Sequence, residues 1–354
     1  MKNRVHIYRD SRLISESLVS LRGRYLLKPN FFTTITSEKG ATTNPELVFS
    51  IAKILKKQGA TPIVGECPAM ASYARPDIVF DGLGISRLCK ENDIELRVLD
   101  RDKPFRLDVP NGVVLKEIWV PETIANVDGI INIPKLKTHQ LTTLTCAVKN
   151  FFGLQQGGSK ANHHRRVAND PEAFAQILLD IYAAIRQKVS INIVDAVVAM
   201  EGEGPTTGDP VHMNTILVGE DAAAVDYVSA VLAGWDPMTV PTIRFAAERD
   251  LGPKYLQEIE IIGEPIDEII TPLRKPVTSS ELEQFHRIKM PIKCDQMKCK
   301  QCGICSSICP AGAINMSGIP EIDQSVCIQC FCCTELCPNG ALRAIRSESV
   351  KSTL

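Results

Sequence analysis

Along residues 1–264, short apolar runs alternate with longer stretches in which apolar positions recur at helical spacing. Arg24 to Lys28 (RYLLK) reads as a strand stopped by Pro29. Pro45 to Gln58 puts proline at a first helical position and lysines at the end, with Gly59 as a stop. Thr61 to Val64 is the next strand, Ser72 to Asn92 a helical region interrupted near Pro76 and Gly82, and Ile94 to Leu99 a strand. Asp128 to Ile133 (DGIINI) and Ser190 to Val198 are apolar runs of the buried-strand kind. Between them, Thr142 to Phe152 opens a helical pattern and Pro171 to Gln187 reads as a helix. Met213 to Val218, Ala222 to Gly234 and Glu258 to Ile262 follow as strand, helix and strand. This alternation predicts an α/β domain with a doubly wound, mostly parallel sheet. Such sheets bind ligands outside the carboxyl ends of their strands, so the residues after each strand are the candidates for chemistry.

Those exits are polar. Lys28 and Asn30 follow the first strand named above, and Gly65-Glu66-Cys67-Pro68 the second. Lys135, Lys137, Thr138 and His139 follow DGIINI and run on towards Lys149 and Asn150. Cations grouped with hydrogen-bonding side chains suit a ligand bearing phosphate or carboxylate, whereas each lysine taken singly is an ordinary solvated residue. Lys137 and His139 are the candidate catalytic pair. The polar stretch from Gly153 to Pro171 exceeds ordinary connections, as a lid or a disordered loop does. Its His163, His164 and Arg165 either close over a phosphate or form a plain basic turn. Gly202, Gly204, Thr206 and Thr207 lie in a loop spaced G-x-G-x-x-x-G, interrupted by Pro205 and followed by a strand. That is not the dinucleotide fingerprint; the loop is an anion nest or a tight turn. Asp195 and Asp226 stay open between general base, metal ligand and cap, while Asp221 reads as a cap. Cys67, Cys89 and Cys146 read as small core residues.

The C-terminal part carries a stronger pattern. Cys299, Cys302, Cys305 and Cys309 read C-x-x-C-x-x-C-x-x-x-C-P, and Cys327, Cys330, Cys333 and Cys337 repeat it. In such runs three thiolates bind one iron–sulfur cubane and the fourth reaches to the partner cluster. The expected sets are therefore Cys299, Cys302, Cys305 and Cys337 for one [4Fe-4S] cluster, and Cys327, Cys330, Cys333 and Cys309 for the other. Disulfides or zinc would not need a third and fourth cysteine in the same run. KCKQCGICSSICPAGAI and VCIQCFCCTELCPNGAL align cysteine for cysteine, along with the C-P and the G-A that follow, which implies pseudo-twofold packing. The segment resembles bacterial-type two-cluster ferredoxins, which implies single-electron transfer.

Composition narrows the setting. Formal net charge is −1, leaving no basic footprint for nucleic acid. No apolar run approaches the roughly 20 residues of a membrane span, and none follows the opening MKNRVHIYRD. With eight of the 13 cysteines taken as cluster ligands, a reducing cytoplasm and anaerobic metabolism are expected. Six Lys/Arg against five Asp/Glu from Met290 onward leave the module without the acidic surface of many diffusing ferredoxins, as if wired to its own chain.

LLKPN at 26–30, IPKLKTH at 133–139, AVKNFFG at 147–153, Asp195, EGEGPTTGDP at 201–210 and GEDAAAVD ending at Asp226 together resemble the domain of unknown function 362. That family is often fused to a two-cluster ferredoxin, which implies an α/β ligand- or cofactor-binding domain at 1–264 and a small α+β ferredoxin-like domain at 291–346. A linker at 265–290, rich in Pro, Ser and Thr, and a tail at 347–354 complete the expected organisation. A wire fused to a pocket predicts an oxidoreductase passing single electrons to an anionic cofactor or substrate, with FMN a candidate. The alternative is a non-enzymatic electron carrier or cofactor-assembly factor that docks a partner protein.

Overall fold

Ten strands form one sheet, whose order places the ends of the chain's polar exits side by side. The computed structural model describes residues 3–9, 14–18, 21–68, 76–168, 170–278 and 290–345. Strands β1 (Asn3–Tyr8), β2 (Gly23–Pro29), β3 (Ala60–Glu66) and β4 (Glu95–Val98) are followed by a separate hairpin, β5 (Pro104–Asp108) with β6 (Glu117–Pro121). Then come β7 (Gly129–Ile133), β8 (Lys135–His139), β9 (Thr143–Thr145), β10 (Val189–Glu201), β11 (Asp209–Gly219) and β12 (Ile259–Gly263). The order is β12-β1-β11-β10-β7-β2-β3-β4, with β8 paired to β10 and β9. Pairings are parallel except for β11 with β1 and β10, and β9 with β8. β11 reverses because the seven-residue loop 202–208 joins it to β10 as a hairpin.

The central strands of the sheet are buried because they are apolar on both faces. Every residue of β7 is buried, and two apolar clusters pack on opposite faces of the sheet. Helix α1 (Pro45–Lys57) starts where expected, Asn44 Oδ1 accepting the Glu46 N–H at 2.9 Å with proline at the first position. Helices α2 (Ala147–Asn150), α3 (Ser159–Val167), α4 (Pro171–Ile185) and α5 (Ala222–Leu232) follow. Asp170 caps α4 through the Glu172 and Ala173 N–H groups, and Asp221 caps α5 through Ala224 N–H. The edge strand β4 carries Glu95 and Arg97, charges that discourage pairing with another chain.

Two expectations are corrected. The stretch 153–171 is not a structureless loop: α3 occupies its middle, burying Lys160, His164 and Val167 at helical spacing. Lys135 to His139, expected as a polar exit, is itself a strand with every residue buried. The described part of the linker, 265–278, packs on the α/β domain, with Thr271 and Leu273 N–H donating to Leu232 and Ala233 carbonyls. Residues 279–289 and the expected tail, like 72–75 of the predicted helical region, lie outside the described residues.

The C-terminal module keeps the duplication in three dimensions. β13 (Ile292–Cys294) pairs with β16 (Leu342–Ala344), and β15 (Pro320–Ile322) pairs with β14 (Ile314–Met316), equivalent positions lying 28 residues apart as Cys299 and Cys327 do. Helices α6 (Ile304–Ser307) and α7 (Cys332–Glu335) obey the same offset.

Candidate redox site

Winding order across the sheet reverses between β2 and β7: β3 and β4 lie to one side, β10 to the other. At such a switch point the loops after adjacent strands diverge and leave a crevice. A cavity of about 100 Å³ lies there. Asn30 comes from the β2 exit, Glu66 and Cys67 from β3, Lys137 and His139 from β8, Thr145 from β9, and Lys149 and Asn150 from α2. Helix α3 adds Lys160 and His164, and the cluster module contributes Ile308, Cys332, Glu335 and Leu336.

A buried polar framework fixes these groups. Asn30 Nδ2 donates to Asn150 Oδ1 at 3.1 Å, Asn150 Nδ2 to Asn132 Oδ1 at 2.8 Å, and Asn132 Nδ2 to Asn192 Oδ1 at 2.9 Å, a chain crossing three strands. Lys137 Nζ donates to Asn30 Oδ1 at 2.7 Å and sits 3.9 Å from the Phe32 ring centroid. Burial pulls its ammonium well below the usual range, and neighbouring Lys149 adds to this. Asp226 Oδ1 and Oδ2 accept the Ala147 and Val148 N–H groups at 2.6 and 3.1 Å, setting the start of α2 and hence Lys149; burial raises that carboxyl to about 7. Lys149 is half-buried and makes no hydrogen bond or ion pair among the described residues.

His139 is buried, and its Nδ1 accepts the Leu141 N–H at 3.0 Å. Burial first, then Lys149, lowers its pKa to about 4, so the neutral ring carries its proton on Nε2. That nitrogen lies 3.0 Å from Glu335 Oε1 of the cluster module, without hydrogen-bond alignment. Burial alone would raise Glu335, but His139, Lys149 and His164 overcome it and hold the carboxyl near 2. His164 stacks on Phe174 at 4.5 Å, and burial lowers its pKa to about 3. His164 Nδ1 and Thr145 Oγ1 are buried without partners among the described residues. Unpaired polar atoms converging on one cavity with an unpaired cation suit a small polar, anionic occupant.

Of the expected binding residues, Asn30, Lys137, His139, Lys149, Asn150 and His164 meet at the cavity. Lys28 lies just beneath, its Nζ donating to Glu66 Oε2 at 2.7 Å. Lys135 does not line the cavity; it pairs with Asp195 at 2.9 Å, which also accepts the Asn44 N–H. Thr138 is buried behind it, against Gly204. His163 Nε2 meets Gln155 Oε1 at 3.1 Å, and Arg165 donates to Asn162. The glycine loop joins other parts: Gly202 N–H donates to the Arg274 carbonyl, Gly204 accepts the Gln140 N–H, and Thr207 donates to the Glu203 carbonyl. Thr206 Oγ1 is buried without a partner, and within this loop Pro205 lines the cavity. Cys67 lines it too, with its thiol pushed well up by burial. Glu66 belongs to the second strand exit read from the sequence, whereas Thr145, Lys160 and Glu335 escaped that selection. Glu335 leaves one trace there, since its equivalent in the first repeat is Ser307.

The cysteines sort into the crossed sets. Cys299, Cys302, Cys305 and Cys337 line one cavity, along with Cys294; Cys309, Cys327, Cys330 and Cys333 line another. Gln301 and Gly303 have φ of 55° and 74°, and their equivalents Gln329 and Phe331 of 52° and 60°, curving each run around its hollow. Gln301, Ala313 and Ala341 N–H groups donate to the sulfurs of Cys299, Cys309 and Cys337 at 3.3–3.4 Å. Four such cysteines at each hollow, apolar neighbours and backbone amides on three of the sulfurs fit cubane clusters.

The fold and these cysteines define an iron–sulfur protein: a mostly parallel α/β domain carrying a ferredoxin-like module. The chain matches the 4Fe-4S binding domain at 295–315, which supports a [4Fe-4S] cluster and an electron-transfer role. Residues 26–231 match the domain of unknown function 362, and the protein belongs to that family. A thylakoid-associated protein of Synechocystis sp. (strain ATCC 27184 / PCC 6803 / Kazusa) is 33% identical over 229 residues, covering 65% of this chain and 68% of the relative. No solved structure matches. Among the described residues no helix is long and apolar enough to cross a membrane.

Proposed function

We propose that this protein is an iron–sulfur oxidoreductase in which two [4Fe-4S] clusters exchange single electrons with an anionic molecule held at the switch-point cavity. One observation carries this reading: α7 supplies Cys333 to a four-cysteine hollow and Cys332 and Glu335 to the wall of the cavity. The cluster on Cys309, Cys327, Cys330 and Cys333 would thus be the one next to the bound molecule, and the cluster on Cys299, Cys302, Cys305 and Cys337 the outer one. Bound clusters supply single-electron transfer at low potential.

Lys149 and Lys137 would bind the anion, Asn30 and Asn150 orient it, and His139 hold a proton at Nε2 beside it. FMN is one candidate, able to join one-electron to two-electron steps. A smaller carboxylate or phosphate is favoured over it, because Gly202, Thr206 and Thr207 stand apart from the cavity and leave the lysines as its phosphate-binding groups. The same reading puts the protein in the cytoplasm, where reducing conditions preserve such centres. Anaerobic purification with iron and acid-labile sulfide analysis, then acid release and mass measurement of small molecules, tests it. About eight irons per chain with a released anion support the proposal; eight irons with nothing released or accepted favour a carrier or assembly factor.

A further inference from the structure

The duplicated module is its own control, because two halves built from one repeat should present similar surfaces around their cysteines. They do not. Cys302 is exposed and its neighbour Gln301 exposed, whereas their equivalents Cys330 and Gln329 are buried. Around Cys299 and Cys302, Met297 is 90% exposed, and Lys298 and Lys300 are exposed with no ion pair among the described residues. The equivalent positions in the second half are Ser325, Val326 and Ile328, which carry no charge. Asp295 and Asp323 make the same turn in both halves, accepting the N–H of Met297 and Ser325 respectively. The two lysines and an exposed methionine therefore distinguish the outer half, on the side of the module whose cysteines do not adjoin the switch-point cavity.

We infer that the face formed by Met297, Lys298, Lys300 and Cys302 docks a reduced, acidic one-electron carrier protein, making it the entrance for electrons. One electron leaves the carrier's reduced centre, oxidising it, and enters the module at the Cys299, Cys302, Cys305 and Cys337 site; no bond or proton changes hands. The inference rests on the proposed electron exchange, yet its binding part is independent of the cavity. Unpaired lysines steer an acidic partner through long-range attraction, and an exposed methionine adapts to an irregular apolar contact. A duplicated half retaining neutral residues has no such pull.

The test is binding, measured by calorimetry under anaerobic conditions between the holoprotein and an acidic [2Fe-2S] ferredoxin used as the probe. Lys298→Glu with Lys300→Glu should raise Kd on the order of tenfold or more, with iron content unchanged, and 0.5 M salt should weaken wild-type binding comparably. Val326→Glu, the matching change in the other half, should leave Kd unchanged. Should the charge reversal lose iron, Lys298→Gln with Lys300→Gln replaces it, with a smaller rise expected. Equal loss in Val326→Glu, no loss in either lysine pair, or salt-independent binding overturns the inference. A Lys149→Met variant that loses acceptor exchange but still binds the ferredoxin separates failure at the cavity from failure here.

Discussion

Removing the Lys28 ammonium should destabilise the protein strongly and in a pH-dependent way. Lys28 and Glu66 are 0% and 1% exposed and 2.7 Å apart beneath the cavity. Burial pulls the lysine's ammonium down and Glu66 opposes that pull. In Lys28→Met the carboxylate keeps the Phe31 and Cys67 N–H groups, at 3.2 and 2.9 Å, but loses its counter-charge. Breaking a buried pair costs about 3–5 kcal/mol. A stranded carboxylate can escape by binding a proton, which at pH 7 costs an ordinary carboxyl of pKa ~4.3 roughly 3.7 kcal/mol. The native variant then holds a proton that the unfolded chain releases, so its stability falls as pH rises. The penalty should accordingly be about 2 kcal/mol smaller at pH 5.5 than at pH 7. Lys28→Met with Glu66→Gln removes the charge and keeps an acceptor for one of the two amides, so it should recover part of the loss. Anaerobic urea unfolding followed by the fluorescence of Trp119 and Trp235 measures all three. A single-variant cost below about 1 kcal/mol, a penalty equal at both pH values, or a double variant no better than the single would refute the reasoning.

Other perturbations probe the site from different sides. An added Cβ at Gly153 would lie 2.6 Å from both Lys28 Nζ and Glu66 Oε1, so Gly153→Ala should cost about 1–3 kcal/mol in the same urea assay while leaving iron content intact. Gln140 Nε2 donates to Glu203 at 2.9 Å, and its Oε1 accepts from Thr334 of the cluster module at 2.8 Å. Gln140→Leu should therefore speed amide exchange by about five- to thirtyfold in peptides spanning 136–145 and 330–336, for a local loss of roughly 1–2 kcal/mol. His164, held near 3 when folded, binds fewer protons than the unfolded chain, so stability is lost as pH falls from about 6.5 towards 3. From pH 7 to 5 this amounts to about 2 kcal/mol, and His164→Phe, measured by urea unfolding at both pH values, should reduce the acid sensitivity by that amount.

The sequence announced the sheet and the cysteines more clearly than the walls of the cavity. β2, β3, β7 and β10 declare themselves because both faces are covered, leaving continuous apolar runs. Parallel strands gather their carboxyl ends, so Asn30, Lys137 and Lys149 read as candidates from the sequence, but which exits converge is decided by the strand order. Lys135 shows the limit: two residues back along β8 it meets Asp195 from β10, a pairing fixed by register rather than by local pattern. Helix α3 was hidden because its buried stripe is Lys160, His164 and Val167, two of them polar. The glycine loop has the composition of an anion nest, yet serves as the turn between β10 and β11 and as a seat for Arg274. Glu335 reaches the cavity through docking of one part of the chain on another, which no local periodicity encodes.

The central claim is electron exchange between the clusters and an anion in the cavity, and single-turnover kinetics tests it most directly. Holoprotein reduced with stoichiometric dithionite is mixed anaerobically with the molecule released on purification, or with FMN if none is released, while the cluster absorbance is followed. Reoxidation should be rapid in the wild type and on the order of tenfold or more slower in Lys149→Met, where one charged hydrogen bond to the anion, about 1.5–3 kcal/mol, is lost, with iron content and spectrum unchanged. Equal rates in the two proteins would contradict the account.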